Sequence, residues 1–521
     1  MSARLRRGAL ALAILAGAAA GVVATAGPTQ GAKQGARPNI VLVVTDDQTL
    51  AAFNGRTMPY TLGNVAGAGT TFNNTIATNP LCCPSRATMI TGQYSHNTGV
   101  TNNKPGYPAL RDKTNVLPSW LSAAGYYTAH IGRYLNEYPH GKKSKPAPGW
   151  DTWIAALEPR RYLGYDLRVN RKTVHYGRKL KEYLTTVINN RANEVIRKRA
   201  PQQQPFFLQV DHMAPHAGPG MGGPCAGSDV PDALPGDYAQ FANEPLPTPP
   251  SFNEEDIGDK PSFVQRVPLL TEKNVATITQ RYRCALASLL SVDRGMQQID
   301  AELAKAGELE NTIVIFISDN GFFYGEHRLP REKIRPYEEA LHVPFAIRVP
   351  PGLLGAPTVS SVDELVANVD LVPTILELAG AGPCLAADRC RVMDGRSVVP
   401  LVLGQGGWPQ DRGLAVEFST GDEKFNTSSS CAYQGIRTPG FLYVQHTRVP
   451  QPPDGVCVPA DEREYYDLAA DPFQLQNLYP SDPNSLPGTV EGSLAARAAQ
   501  LAGCAGIEGR DPAPASGSYC E

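Results

Sequence analysis

The stretch Asn39-Ile40-Val41-Leu42-Val43-Val44-Thr45-Asp46-Asp47 decides the fold class. Five apolar residues, mostly β-branched, follow one another without alternation. A strand that is apolar at every position has both faces covered, as parallel strands of α/β sheets do. The run ends in two adjacent carboxylates. Neighbouring carboxylates repel, so the pair needs a reason: helix capping accounts for one of them, a hard cation for both.

The same arrangement recurs further along. Thr312-Ile-Val-Ile-Phe-Ile317 is another buried-strand run, and it ends in Ser318-Asp319-Asn320-Gly321. Pro205-Phe-Phe-Leu-Gln-Val210 is a third, leading to Asp211-His212-Met213-Ala214-Pro215-His216. Thr128-Ala-His-Ile-Gly-Arg133 follows a helical segment at 117–124 and runs on through Tyr134-Leu135-Asn136-Glu137-Tyr138. Ligands of open α/β sheets collect beyond the C-terminal strand ends. Asp46, Asp47, Asp319 and Asn320 are therefore expected to converge as an all-oxygen set for a hard divalent cation. Read singly, Arg133 is a surface cation, His216 a loop hydrogen-bonder and Lys333 a surface lysine.

Residues 217–262 are rich in Gly, Pro and acidic residues and show no periodicity, so they read as a long excursion over the surface. Apolar residues at steps of three and four over 275–303 predict one long amphipathic helix ending near Gly307. Residues 366–379 read as a strand end and a helix. Beyond about 405 the texture changes to short strands at 414–418 and 441–444, then a helix at 489–502.

Leu81-Cys82-Cys83-Pro84-Ser85-Arg86-Ala87-Thr88 carries the remaining chemistry. Pro84 has its φ preset for a first helical turn, and a helix over 85–91 would stop at Gly92. Cys82 then sits at a helix N-terminus, where partial positive charge favours an anion, and Arg86 adds a planar cation. The plainer alternative is a buried cysteine pair at a loop–helix junction.

The chain has 521 residues, 48 Lys plus Arg against 50 Asp plus Glu, and a net charge of −2, which excludes a nucleic-acid footprint. Its 49 Gly and 46 Pro, about 18% together, suit a loop-rich folded enzyme. Basic Arg4, Arg6 and Arg7 precede an apolar run over 9–24, and Ala24-Thr25-Ala26 is a small-residue cleavage site. That is a signal peptide over 1–26, implying a secreted protein without a stable membrane anchor. Export permits disulfides. Setting aside Cys82 and Cys83 leaves eight of the ten cysteines, which allow 105 pairings. Pairing of neighbours is the simplest choice, with Cys384–Cys390 and Cys504–Cys520 as the short loops.

Cys82-x-Pro84-Ser85-Arg86 resembles the signature of the sulfatase family, and the likeness extends from Asn39 to Tyr465-Tyr466-Asp467-Leu468. Gly132-Arg133-Tyr134-Leu135-Asn136-Glu137-Tyr138 resembles the glucosamine-6-sulfatase pattern, with Arg for Lys at 133. The resemblance implies an alkaline-phosphatase-like mixed α/β sheet flanked by helices over 37–404. It also implies a smaller C-terminal α+β domain over 405–521 with a short antiparallel sheet. By position it makes Asp46, Asp47, Asp319 and Asn320 ligands of Ca²⁺, and Arg86, Arg133, His216 and Lys333 the sulfate-site residues. It makes Cys82, not Cys83, the residue oxidised to Cα-formylglycine by a formylglycine-generating enzyme. A hydrated aldehyde offers one hydroxyl to attack sulfur and a second whose deprotonation releases sulfate, while His216 protonates the departing oxygen. The expected substrate is a small-molecule or glycan sulfate ester. The rival expectations are a phosphonate monoester or phosphodiester hydrolase, and a non-catalytic calcium-dependent glycan-binding protein.

Overall fold

The strand Asn39–Asp46 lies inside a ten-stranded sheet, hydrogen-bonded to Phe206–Pro215 on one side and Thr312–Ser318 on the other, parallel to both. The computed structural model describes residues 37–521 except 140–144, 159, 220–221, 228, 407, 422–428, 480–488 and 516. The expected signal peptide, 1–26, lies outside the described residues.

Alternation along the first strand explains the layers. Ile40, Leu42 and Val44 pack with Cys83, Ala87 and Ile90 of the helix Cys82–Thr91, with Trp120 of Leu117–Ala123, and with Ile375 of Leu371–Ala379. Val41 and Val43 point the other way, into Ile188 and Ile196 of Leu184–Arg199 and Leu289, Val292 and Met296 of Glu272–Lys305. Both faces are thus covered by helices, which is why the strand needs no polar position.

The parallel centre continues through Tyr127–Gly132 to Thr152–Ala156. Antiparallel hairpin strands Tyr165–Val169 and Lys172–Tyr176 extend that side, and antiparallel Phe345–Arg348 flanks Thr312–Ser318, so the sheet is mixed. A second, antiparallel sheet of four strands is built from Leu414–Ser419, Ala432–Arg437, Phe441–Gln451 and Val456–Asp467, with the helix Val490–Leu501 against it.

Two boundaries near the site differ from the sequence reading, and the strand expected at 441–444 runs on to Gln451. The third strand runs on to Pro215, so Asp211 and His212 lie within it and not in a loop. The helix after Leu81 begins at Cys82, three residues earlier than expected, and ends as expected at left-handed Gly92 (φ +68°). Disulfides join Cys225–Cys284, Cys384–Cys390, Cys431–Cys457 and Cys504–Cys520, each cysteine to its neighbour in sequence, and leave Cys82 and Cys83 free. The excursion after residue 217 packs on the loop leading to Lys333: Ser251 O accepts from His327 N at 2.7 Å, and Glu254 lies 2.7 Å from His327 Nδ1.

Candidate active site

The two predicted strand ends meet. Asp319 N donates to Thr45 O at 3.1 Å, and Asp47 N donates to Asp319 Oδ1 at 3.2 Å. Asp47 adopts a left-handed φ of +67°, which turns the chain sharply after the strand. One carboxylate oxygen each from Asp46, Asp47 and Asp319 lies within 4.8 Å of the others. Oxygens around Ca²⁺, at 2.3–2.6 Å from the ion, are separated by no more than about 5 Å.

Asn320 completes the set. Its Nδ2 donates to Asp47 Oδ1 at 2.7 Å, and its buried Oδ1 is left without a hydrogen bond among the described residues. Asp46 Oδ2, also buried, meets the Arg133 guanidinium. A buried amide oxygen left unpaired beside a carboxylate cluster is costly unless something cationic faces it. An all-oxygen donor set of this spacing fits a hard divalent cation.

Cys82 stands over this cluster. Its Sγ is 3.5 Å from Asp46 Oδ1 and accepts from Lys333 Nζ at 2.9 Å; the same ammonium contacts Asp47. Burial pushes the thiol up to about 12 despite Lys333, so the helix N-terminus does not make a thiolate here. Burial also works against the charge on Lys333, yet Asp47 keeps it above its ordinary value. Cys83 faces away, into the apolar core, with its N–H on Asn103 Oδ1 at 3.0 Å. Ser85 ties the motif to the second strand end by donating to Asp319 O at 2.5 Å.

Arg86 is committed to carboxylates. Its Nε donates to Asp319 Oδ2 at 2.7 Å and its Nη1 to Asp211 Oδ1 at 2.9 Å, with Asp46 3.8 Å from Nη2. Arg133 contacts Asp46, and burial, then repulsion from Arg160, draws its guanidinium down to about 9. Gly132 allows its placement: at φ +117° a Cβ there would lie 1.9 Å from Asp211 O.

His216 follows the third strand directly. Its Nδ1 lies 2.6 Å from Ala217 O, which fixes the proton on Nδ1, and its Nε2 is 3.8 Å from Asp47 Oδ2. Burial, then Lys333 and Arg133, hold the imidazole well below its ordinary value. The free site thus keeps His216 neutral, because it is buried and two cations share its pocket.

All nine expected residues are therefore gathered at one end of the sheet. Two further members escaped the sequence reading. Asp211 is buried, takes Arg86 and the Gln209 amide, and lies 2.9 Å from His130 Nε2; its place at the end of an apolar run was the available signal. Arg160, on the loop after Thr152–Ala156, acts electrostatically on Cys82, Arg86, Arg133 and His216, and no motif pointed to it. A separate Ser430–His446–Glu464 chain, at 2.9 and 2.8 Å, has the hydrogen-bond order of a hydrolytic triad. Its members are at most 1% exposed, so it braces the second sheet.

Comparison with known proteins follows the same outline. The sulfatase family model matches residues 38–381, and the C-terminal model of N-sulphoglucosamine sulphohydrolase matches 325–487. N-acetylglucosamine-6-sulfatase of Capra hircus is 30% identical over 93% of this chain and 87% of its own length. The putative extracellular sulfatase Sulf-1 homolog of Caenorhabditis elegans is 32% identical over 70% of this chain, which spans about half (49%) of that relative. A solved structure of a protein in complex with its substrate D-glucosamine-2-N, 6-O-disulfate superposes with a TM-score of 0.69 at 24% identity, covering 88% of this chain and 96% of that one. The fold, the signature and these matches agree: the chain belongs to the sulfatase family of sulfuric ester hydrolases.

Proposed function

We propose that this protein hydrolyses sulfate monoesters of sugars, with Cys82 working as Cα-formylglycine and Ca²⁺ held by Asp46, Asp47, Asp319 and Asn320. The observation that carries the reading is Cys82 Sγ hydrogen-bonded to Lys333 and 3.5 Å from a carboxylate of the three-aspartate cluster. When present, the aldehyde supplies a hydrated nucleophile for sulfur and the cation neutralises charge on the sulfate oxygens.

The chain's own residues do the rest. Lys333 Nζ holds the reacting atom of residue 82 and places a positive charge beside it. Arg133 adds a second cation where the sulfate charge grows as the S–O bond breaks. Arg86, by engaging Asp319, Asp211 and Asp46, fixes the carboxylates against one another. His216 keeps one proton on Nδ1 and presents Nε2 to the site. An arriving sulfate anion opposes Lys333 and Arg133 there, so Nε2 gains a proton that it passes to the departing sugar oxygen.

Sulfated amino sugars are the favoured class, supported by relatives named for N-acetylglucosamine 6-sulfate. Export through the 1–26 signal, maturation by a formylglycine-generating enzyme and action outside the cell complete the proposal. No helix among the described residues is long and apolar enough to cross a membrane.

Mass spectrometry of the Cys82 peptide from secreted protein should find the aldehyde at Cys82 and a thiol at Cys83, and metal analysis about one calcium per chain. The protein should turn over a sulfated amino sugar and nitrophenyl sulfate faster than an aryl phosphodiester. Cys82→Ala should fold and lose activity by about 10⁴-fold or more. Full activity in that variant, stoichiometric zinc without calcium, or a preference for the phosphodiester would each overturn the proposal.

A further inference from the structure

We infer that Tyr433 of the second sheet is a positioning residue: by holding the strained, left-handed Ile334, its hydroxyl aims the Lys333 ammonium at residue 82. The inference rests on the sulfatase reading above and adds to it a working part supplied by the C-terminal sheet.

The chain around Lys333 is under backbone strain. His327, Arg328 and Ile334 all adopt positive φ, at +48°, +64° and +83°. Among the described residues Ile334 is the one β-branched residue in that region. A branched Cβ is crowded there, so the conformation persists only where the neighbours over-determine it. Outliers of this kind gather at active sites, where a side chain must be aimed.

The neighbours that hold the strain can be named. Arg328 Nε donates to Glu254 O at 2.7 Å and its Nη1 to Val267 O at 3.1 Å. Ile334 N donates at 3.0 Å to the carbonyl of Pro80, in the segment that leads into Cys82. The Ile334 side chain is buried in the apolar cluster that also holds Leu81 and Tyr433. The Ile334 carbonyl accepts from the Tyr433 hydroxyl. Tyr433 stands on strand Ala432–Arg437, and the Cys431–Cys457 bridge pins the chain just before that strand. On the other side of Lys333, Ser429 Oγ donates to the Glu332 carboxyl at 3.2 Å. Ser429 and Tyr433 therefore grip the two residues that flank Lys333.

What they hold in place is a long reach. Lys333 Nζ stands 2.9 Å from Cys82 Sγ and contacts Asp47. An ammonium on a flexible four-carbon stem lands where its backbone aims it. Tyr433 is 3% exposed, so no water replaces its hydroxyl readily. Without that hydroxyl the Ile334 carbonyl loses its partner, and the left-handed residue is free to relax and carry Lys333 with it. The ring supplies packing, whereas the hydroxyl supplies aim, and Tyr433→Phe separates the two.

The test compares the full-length, aldehyde-bearing, calcium-loaded wild type with Tyr433→Phe, Lys333→Ala and the double variant on nitrophenyl sulfate. Mass spectrometry checks equal aldehyde content, and thermal denaturation checks that each variant folds. Tyr433→Phe should lower kcat by about tenfold or more and change KM by less than about threefold. In the Lys333→Ala background the same substitution should cost less than about twofold, because no ammonium is left to aim. Hydrogen exchange should quicken over 329–336 in Tyr433→Phe and keep its wild-type rate in the central strands. Wild-type kcat in Tyr433→Phe, or the same loss in both backgrounds, would overturn the inference while leaving the sulfatase reading intact. Unchanged exchange over 329–336 would overturn it too, even where the Lys333→Ala rate is too low to follow. No turnover of any sulfate ester by the wild type would overturn both.

Discussion

A thiol at position 82 is a poor nucleophile in this setting. With its proton affinity pushed up to about 12 by burial, the group stays a thiol at pH 7. The same burial acts on His216, where it combines with Lys333 and Arg133 to favour the neutral ring. A general acid so poised is charged by its substrate: the bound sulfate opposes both cations. Its help counts when the departing oxygen is a sugar alkoxide and hardly at all for a nitrophenolate. His216→Ala should therefore lose about 10²–10⁴-fold on a sulfated sugar and far less on nitrophenyl sulfate. Because the free ring's affinity is held well below its ordinary value, the wild-type advantage on the sugar should grow steadily as pH falls. Equal losses on both substrates at every pH would make His216 a sulfate-binding residue only. Asp46, Asp47, Asp319 and Asn320 were legible in the sequence because each pair interrupts an apolar run, where a carboxylate is out of place. Asp211 also ends an apolar run but stands there as a single carboxylate, and its role shows only in its bond to Arg86, 125 residues away in sequence.

At the scale of elements, two backbone devices bring these side chains within reach of one another. Left-handed Asp47 turns the chain immediately after Asn39–Asp46, and Gly132 lets Tyr127–Gly132 approach Phe206–Pro215 where Arg133 N donates to Asp211 O at 2.9 Å. A methyl group on Gly132 would collide with the Asp211 carbonyl, a backbone atom that cannot swing away, at a φ that L-residues rarely adopt. Gly132→Ala should cost about 3 kcal/mol or more, and should displace Arg133 even in molecules that fold. Urea denaturation with a parallel rate measurement checks both, and wild-type stability with wild-type kcat would show that the two strands can part without consequence. The central strands and the long helix were legible because burial on both faces, or a 3.6-residue period, leaves an unbroken signature. Tyr165–Val169 and Lys172–Tyr176 were not: Asp166, Arg168, Lys172 and His175 interrupt them with charge, and the second is the solvated strand at the sheet edge.

Across the whole molecule, the second sheet is tied to the motif side of the first by His96, on the turn of helix Ser95–Thr98. Its Nδ1 is 2.8 Å from Glu417 Oε2 on strand Leu414–Ser419, and its Nε2 is 3.0 Å from Cys504 O, beside the Cys504–Cys520 bridge. The sequence offered no hint of this, since Glu417 and Cys504 lie 321 and 408 positions from His96 in the chain. Burial disfavours the charged ring, but Glu417 and the Cys504 carbonyl more than offset it and raise its affinity to about 9. An unfolded histidine titrates near 6.5. The folded state therefore binds the proton more tightly, and the resulting stabilisation is complete below about pH 6.5. It shrinks between about 6.5 and 9 as the unfolded chain alone gives up its proton, and it is gone once pH rises through about 9. A charge-assisted hydrogen bond of this kind is worth about 2 kcal/mol. His96→Ala should be destabilised by roughly that amount at pH 6 and by clearly less at pH 9.5, as read from urea midpoints at constant calcium with the disulfides intact. The variant should also lose part of the wild type's decline across that window. Parallel pH curves for the two proteins would mean that the imidazole is neutral in the folded state and that this contact adds no pH-dependent stability.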